Sequence, residues 1–283
     1  MKKIRIIHKT EYHYHEPVTF GQHRAMLRPR EGHDLLIIKG LLVTEPESTI
    51  RWVWDFQGNS VAVINFLEPS STLRVLSEVT VELHEAPDIQ CAITQEASNY
   101  PFAYPESESL EMAPFLIPSY PHDAMAIQAW LLAIYTPGEV VPTHQLLDQL
   151  NTRIFESFKY ERREEAGVQM PCETLSKGSG SCRDFAVFMM EAARHWGFAA
   201  RFVTGYIQMN EGQHGATHAW TEVYLPGEGW RGYDPTNNKP AGLEHVAVGV
   251  ARVHERAAPL SGAWMGDADA FDRMDVSVQV VEV

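Results

Sequence analysis

The stretch Gly178-Ser179-Gly180-Ser181-Cys182-Arg183-Asp184-Phe185-Ala186 decides the fold, because a Gly/Ser loop leads directly into a helical pattern. Ser181 suits the N-cap position, which places Cys182 in the first turn, beside free backbone N–H groups and the positive end of the helix dipole. Such surroundings favour the thiolate, the nucleophilic form of cysteine. Gly197 stands where the helix is expected to end. Apolar residues at helical spacing predict one buried face: Phe185, Phe188, Met189, Ala192, Ala193 and Trp196.

Two downstream residues are candidates for the partners that a cysteine nucleophile needs, a general base and a group that orients it. His218 opens an alternating segment that predicts a strand. Asp234 ends a short aromatic segment, which must stop before Pro235. The turn at 226–229 joins the two segments into a predicted hairpin. We therefore predict Cys182, His218 and Asp234 as nucleophile, base and orienting acid, the arrangement of cysteine proteases.

The same region resembles the bacterial transglutaminase-like superfamily. The resemblance implies a papain-like core in which a helix packs on an antiparallel sheet, with Cys182 as nucleophile, His218 as base and Asp234 as orienting acid. Cys172 departs from the pattern, since relatives usually carry an acidic residue there, outside the triad. The segments LRPRE and DFQGN are similar to the small N-terminal domain that precedes many such cores. The matching blocks of the core are G-S-C-R-D-F-A, A-R-F-V-T-G-Y, H-A-W-T-E-V-Y and D-P-T.

The chain has 283 residues, of which 45% are hydrophobic and 21% charged, and a formal net charge of −14. This composition is typical of a globular protein with one large or two ordinary domains. The acidic excess argues against nucleic-acid binding, which needs a basic face, and against docking on an anionic membrane. The apolar run near the start is too short for a signal peptide. Three cysteines, Cys91, Cys172 and Cys182, fit a reducing compartment, so we expect a cytoplasmic location.

The order of predicted elements indicates an α+β fold with two domains. Short alternating strands over residues 1–90 predict an N-terminal antiparallel β-sandwich. Residues 91–121, rich in Pro, Ser, Glu and Tyr, are predicted to be a linker. Residues 122–283 are predicted to form the transglutaminase-like, papain-like catalytic core, with helices packed on an antiparallel sheet. Alternation over 274–283 predicts a last strand that closes this sheet.

Donors that would stabilise an oxyanion can be sought at the helix start and upstream of it. The backbone N–H of Cys182 is one natural donor at a helix start. Gln169 and Tyr160, both upstream, are candidates for the second donor.

Two positions of the triad have competitors in the sequence. His214 competes with His218 as base, but it lies in a glycine-rich loop, whereas His218 opens a regular strand. Asp184 competes with Asp234 as orienting acid, but its place in the first helical turn is explained by stabilisation of the helix start.

Other uses of the cysteines and histidines are disfavoured. A Cys172–Cys182 disulfide does not suit a reducing compartment. The pair His13-x-His15 lacks further ligands, and we interpret these residues as solvated strand histidines. A zinc site also lacks the close spacing of known ligand motifs in its candidate set, Cys172, Cys182, His214 and His218.

The predicted activity is attack of Cys182 on an amide or peptide carbonyl, with a thioester intermediate and a peptide or protein as substrate. Water as second substrate gives a peptidase or amidase, which we favour, and an amine gives a crosslinking transglutaminase. A non-catalytic, protein-binding scaffold with the same fold is the alternative from another class. The chemistry needs no metal or other cofactor, and the sequence leaves the oligomeric state open.

Overall fold

The computed structural model describes residues 2–84, 93–163, 165–208 and 217–283. Within these ranges the chain has an α+β fold, as predicted, with antiparallel sheets in the N-terminal part and helices packed on a five-stranded sheet in the core. No helix in this described part is long and apolar enough to cross a membrane.

The elements follow one another in two blocks. The strands of the N-terminal part are β1 (Lys2–Phe20), β2 (His23–Ala25), β3 (Leu35–Glu45), β4 (Ser48–Trp54), β5 (Ser60–Phe66) and β6 (Ser70–Leu83). The helices are α1 (Glu106–Leu116), α2 (Ala124–Leu131), α3 (Thr143–Ser157), α4 (Pro171–Lys177) and α5 (Cys182–His195). The later strands are β7 (Asn99–Tyr100), β8 (Val141–Pro142), β9 (Lys159–Tyr160), β10 (Ser179–Gly180), β11 (Ala200–Ile207), β12 (Thr217–Leu225), β13 (Gly229–Asp234), β14 (Lys239–Pro240), β15 (His245–Ala251), β16 (Leu260–Ser261), β17 (Trp264–Met265) and β18 (Phe271–Glu282).

The sheet of the core has the strand order β14-β13-β12-β11-β15, and all neighbouring strands are antiparallel. β12 and β13 form the predicted hairpin, in which Leu225 pairs with Gly229 and Thr221 with Tyr233. The start of β12 and the end of β13 therefore lie at the same end of the sheet. α5 packs on β11 and β12, and the Thr221 hydroxyl donates to the carbonyl of Ala186, 2.7 Å away.

The predicted helix that begins at Cys182 is confirmed, but its burial differs from the expected single face. Gly197 has φ +82°, the left-handed conformation that ends a helix. Residues 184–194 are all buried. The reason is that α2, α3 and α4 pack against α5 on the sides that the sheet leaves free.

Two charged residues inside α5 are buried as a pair. Glu191 and Arg194 are 2.7 Å apart, and neither side chain is exposed. Glu191 also accepts hydrogen bonds from the backbone N–H groups of Ser119 and Tyr120. Arg194 donates to the carbonyl of Ala200 and to those of two further residues. Buried charges are tolerated when paired and hydrogen-bonded in this way, so the pair ties α5 to the segments around it.

The N-terminal strands form two sheets with a shared apolar layer. One sheet contains β1, β3 and β6, and the other contains β2, β4 and β5. Val18 and Leu73 of the first sheet meet Ala25 and Ile64 of the second in one buried cluster. This layer is compatible with the predicted β-sandwich.

The prediction that the last strand closes the sheet of the core is wrong. β18 pairs antiparallel with β1, from Ile4 opposite Glu282 to Tyr14 opposite Phe271, and so belongs to the N-terminal sheet. Alternation in a sequence indicates the two faces of a strand but not its partner. β6 occupies one edge of β1, and β18 takes the other.

The N-terminal part packs directly on the core. Tyr206 and Val246 of the core share a buried cluster with Ile4 and Ile6 of β1. Asn59, which is fully buried, donates through its side-chain amide to the carbonyl of Val250 (2.8 Å) and accepts from the N–H of the same residue (2.9 Å). The DFQGN turn therefore holds β15 of the core in place.

The segment predicted to be a linker contains a helix, α1. Its side chains Met112 and Phe115 are buried in a cluster with Ala199 of the core. Pro105 stands at the N-cap of α1 and Pro114 in its last part, and both prolines favoured a linker in the sequence. The domain bounds at 90 and 121 stay predictions.

A close approach at Gly205 of β11 yields a testable expectation. A Cβ atom there would lie 2.1 Å from the carbonyl oxygen of Val246 and 2.7 Å from the ring of the buried Trp220. We expect Gly205→Ala to lower the free energy of unfolding by about 2 kcal/mol or more in urea titrations, because neither neighbour can yield freely. Gly242→Ala is the matched control, since its Cβ enters open space. Equal stability of the two variants would contradict this packing.

Candidate active site

Cys182 is the first residue of α5, and the buried carboxylate of Asp184 fixes the junction of loop and helix. Asp184 accepts hydrogen bonds from the backbone N–H groups of Ser181 (2.8 Å) and Gln169 (2.7 Å). The Ser181 hydroxyl (2.7 Å) and the Arg163 guanidinium (2.8 Å) donate to it as well. Burial raises the pKa of Asp184, but these donors outweigh it and hold the pKa below its usual range. An ionised, well-held carboxylate thus positions the half-buried Cys182.

Asp184 and Asp234, the two candidates for the acid that orients the imidazole, have different hydrogen-bond partners in the structure. Among the described residues, the hydrogen bonds of Asp184 come from the helix start and from Arg163 and Gln169. The carboxylate hydrogen-bonded to His218 is that of Asp234. The two acids therefore have different positions, one beside the thiol-bearing turn and one beside the imidazole.

His218 and Asp234 form a buried pair across the end of the β12–β13 hairpin. The His218 Nε2 atom lies 2.8 Å from the Asp234 Oδ2 atom. His218 is 7% exposed and Asp234 is wholly buried. The ring of Trp220 stacks beside His218, with centroids 6.2 Å apart, and restricts the orientation of the imidazole.

The electrostatics of the site favour an imidazolium at His218. Burial lowers the pKa of this residue, but the hydrogen bond to Asp234 and the interaction with the Cys182 side chain outweigh it and raise the pKa to about 10. Burial likewise raises the pKa of Asp234, and the hydrogen bonds from His218 and His245 reverse this and hold the pKa far below its usual range. The imidazole thus interacts with a carboxylate on one side and with the cysteine on the other.

Two residues around Asp234 were missed by sequence analysis. The Asn237 amide donates to Oδ2 at 2.6 Å, and its backbone N–H and that of Thr236 donate to Oδ1. The His245 Nε2 atom lies 3.0 Å from Oδ2. Asn237 could have been found, because an Asp followed by Pro and small polar residues predicts a turn closed by its carboxylate. His245 carried no signal, because β15 and β13 are not neighbours in the sheet.

The predicted oxyanion donors have different surroundings. The side-chain amide of Gln169 lies 3.3 Å from the carbonyl of Ser179 and 3.4 Å from Asp184, so its hydrogens are directed at protein acceptors. Tyr160 is half exposed in β9, and its pKa is raised by burial and by the nearby Cys182. Tyr160 is therefore near the nucleophile, and the oxyanion role of either residue stays a prediction.

The structure bears on the alternative roles that the sequence offered for cysteines and histidines. Cys172 and Cys182 are both free thiols, so they do not form a disulfide with each other. His214 lies outside the described residues, as does Cys91, and the comparison of His214 with His218 stays open. His13 is paired with Asp275 at 3.3 Å on the surface of the N-terminal sheet.

Family profiles match two parts of the chain. The bacterial transglutaminase-like N-terminal region matches residues 4–82. The transglutaminase-like superfamily core matches residues 135–235, which include Cys182, His218 and Asp234.

Similar proteins cover the chain almost completely. An uncharacterized protein of Mycobacterium bovis is 28% identical over 298 residues, which is 99% of this chain and 92% of the relative. An uncharacterized protein of Mycobacterium leprae is 24% identical over 306 residues, covering both chains fully. A crystal structure from Cytophaga hutchinsonii, named “putative cysteine protease”, superposes with TM-score 0.74 and 20% identity, over all of this chain and 91% of the other. This likeness shows that the two proteins share the fold.

The raised pKa of His218 can be tested by NMR titration of the histidine rings. We expect His218 to stay protonated at pH 8 and to titrate near pH 10, and Asp234→Asn to lower its pKa, because burial then acts without the carboxylate. His195, whose pKa burial lowers, is the internal control and should not change. By linkage, the stability from the raised pKa is complete below pH 6.5 and is lost as the pH rises toward 10. A neutral His218 at pH 8 would contradict the assignment.

Proposed function

Because the chain belongs to the transglutaminase-like superfamily, we propose that it is a cysteine peptidase or amidase that acts on peptide or protein substrates. The observation that carries the proposal is the buried hydrogen bond between His218 and Asp234, with the Cys182 side chain near enough to help raise the pKa of the imidazole. A binding scaffold would not need a buried imidazole with these two neighbours.

The first half of the reaction forms a thioester. The Cys182 thiolate attacks the carbonyl carbon, a C–S bond forms, and the carbonyl oxygen takes up negative charge. The backbone N–H of Cys182 at the helix start stabilises this charge, with Tyr160 as the proposed second donor. As the oxyanion collapses, the C–N bond breaks, and His218 gives its proton to the leaving amine or ammonia. Asp234 holds the imidazole in the orientation that both proton transfers need.

The second half consumes the thioester. His218, now neutral, takes a proton from water while the oxygen attacks the carbonyl carbon, and the Cys182 sulfur leaves as thiolate. The product is a carboxylic acid and the free enzyme. A primary amine in place of water gives a new amide instead. We propose hydrolysis because water needs no acceptor-binding surface, and crosslinking is the alternative outcome of the test below. A cytoplasmic location stays a prediction.

The nucleophile can be tested by competition between the two described cysteines. Burial and a hydrogen bond with Asp123 raise the pKa of the Cys172 thiol, which makes it a poor nucleophile. We expect iodoacetamide at neutral pH to alkylate Cys182 at least about tenfold faster than Cys172, read by mass spectrometry of peptides. Cys172→Ala is the control that leaves this reactivity unchanged. Equal rates at the two cysteines would argue against a catalytic Cys182.

The activity itself is tested by a screen of peptides and glutamine donors with and without a primary amine. We expect a covalent adduct at Cys182, hydrolysed product without amine, and no adduct in Cys182→Ala. Cys172→Ala again serves as control, with full turnover. Product formation by Cys182→Ala would remove the covalent mechanism, and amide products formed preferentially with the amine would favour crosslinking.

The role of Asp234 is tested by Asp234→Asn. The amide keeps the size of the side chain but offers a different hydrogen-bond partner to His218, so we expect single-turnover acylation to fall by about 10² to 10³. Circular dichroism should show an unchanged fold. A variant with the wild-type rate and pH profile would show that another group orients His218.

A further inference from the structure

His245, near the start of β15, contacts the carboxylate of Asp234 at the centre of the site, and its ring lies beside that of His218, with centroids 6.0 Å apart. Its side chain is 3% exposed, and its Nε2 atom lies 3.0 Å from Asp234 Oδ2. The same oxygen accepts from His218 at 2.8 Å and from Asn237 at 2.6 Å. The ring of Trp220 packs edge-on against His245, with centroids 5.2 Å apart, and also stacks on His218.

The other nitrogen of His245 determines its protonation state. The backbone N–H of Gly242 donates to His245 Nδ1 at 3.2 Å. A ring nitrogen that accepts a hydrogen bond carries no proton, so the single proton of the ring is on Nε2. His245 is therefore a neutral donor to Asp234 and does not compete with His218 as a base.

The side chains of His218, Asp234 and His245 offer ligand atoms within 4.8 Å of one another, so they must also be considered as ligands of a metal ion. A histidine that binds a metal normally donates its other ring N–H to an acceptor. In His245 this other nitrogen faces a donor, the N–H of Gly242, so a metal on Nε2 would leave two donors facing each other. The hydrogen bond that Nδ1 accepts from Gly242 therefore favours His245 as a hydrogen-bond donor to Asp234 rather than as a metal ligand.

We propose that His245 is a positioning residue: through its Nε2–H it fixes the carboxylate of Asp234 against the ring of His218. This inference rests on the function proposed above. Oδ1 of Asp234 is held by backbone N–H groups of its own turn, whereas Oδ2 is held by side chains from β12, β15 and Asn237. His245 thus couples the position of β15, which Asn59 of the N-terminal part holds through Val250, to the catalytic imidazole.

The first test needs no substrate. Long-range ¹H–¹⁵N correlation spectra of the full chain at pH 7.5 should show His245 as the neutral Nε2–H tautomer. The N–H proton that His218 shares with Asp234 should exchange with solvent about tenfold faster in His245→Leu, and at the wild-type rate in His245→Gln, whose amide keeps a donor. An Nδ1–H tautomer, a protonated ring, or Zn²⁺ binding that requires His245 would overturn the proposal.

The second test uses turnover of the substrate found in the screen. His245→Leu should lower kcat by about 10- to 100-fold with KM unchanged, because it removes one hydrogen bond to a charged group without touching substrate. His245→Gln should restore kcat to within a few fold, and His195→Leu, at the far end of α5, is the control. A Leu variant with wild-type kcat, in an enzyme that still requires Cys182, would overturn the positioning role alone. Turnover by Cys182→Ala would instead overturn the proposed function.

Discussion

The candidate site depends on one buried carboxylate. Asp234 ends β13 out of contact with solvent, and burial of a charge is costly unless donors surround it. Its donors come from its own turn, from β12 and from β15, so three parts of the core must be in place before the charge is compensated. The same requirement fixes the ring of His218, because the imidazole is one of those donors. Polar interactions, more than apolar packing, therefore set the geometry here.

A second buried carboxylate positions the other half of the site in the same way. Asp184 gathers donors from the loop before α5, and the helix that follows is enclosed by apolar side chains and carries the Glu191–Arg194 pair. Nucleophile and base are thus anchored independently, one on the helix and one on the sheet. They meet only because α5 packs on β11 and β12. A disturbance of that packing would separate them while leaving each anchor intact.

Short sequence patterns predicted those parts of the site that are formed by residues close together in the chain. Ser181, Cys182 and Gly197 marked the ends of α5, and the Pro-Gly turn placed His218 and Asp234 on one hairpin, because caps and turns are encoded within a few residues. The partners of elements distant in sequence were not predictable. His245 reaches Asp234 across two intervening strands, and β18 pairs with β1, since hydrophobic alternation does not identify a partner strand. The helix α1 was missed because its prolines are typical of linkers.

The pairing of β1 with β18 has a consequence for the order of folding. Tyr14 and Phe271, the pair at the inner end of the ladder, are separated along the sequence by nearly the whole chain. Closing a loop of this length costs on the order of 5 kcal/mol in chain entropy. The hydrogen bonds and side-chain contacts between β1 and β18 must offset this cost as the two strands pair. During synthesis one edge of β1 stays open until β18 has left the ribosome, and an open strand edge invites pairing with other chains. β1 is therefore completed late, although it precedes the other described strands in the chain, against the usual direction of domain-by-domain folding.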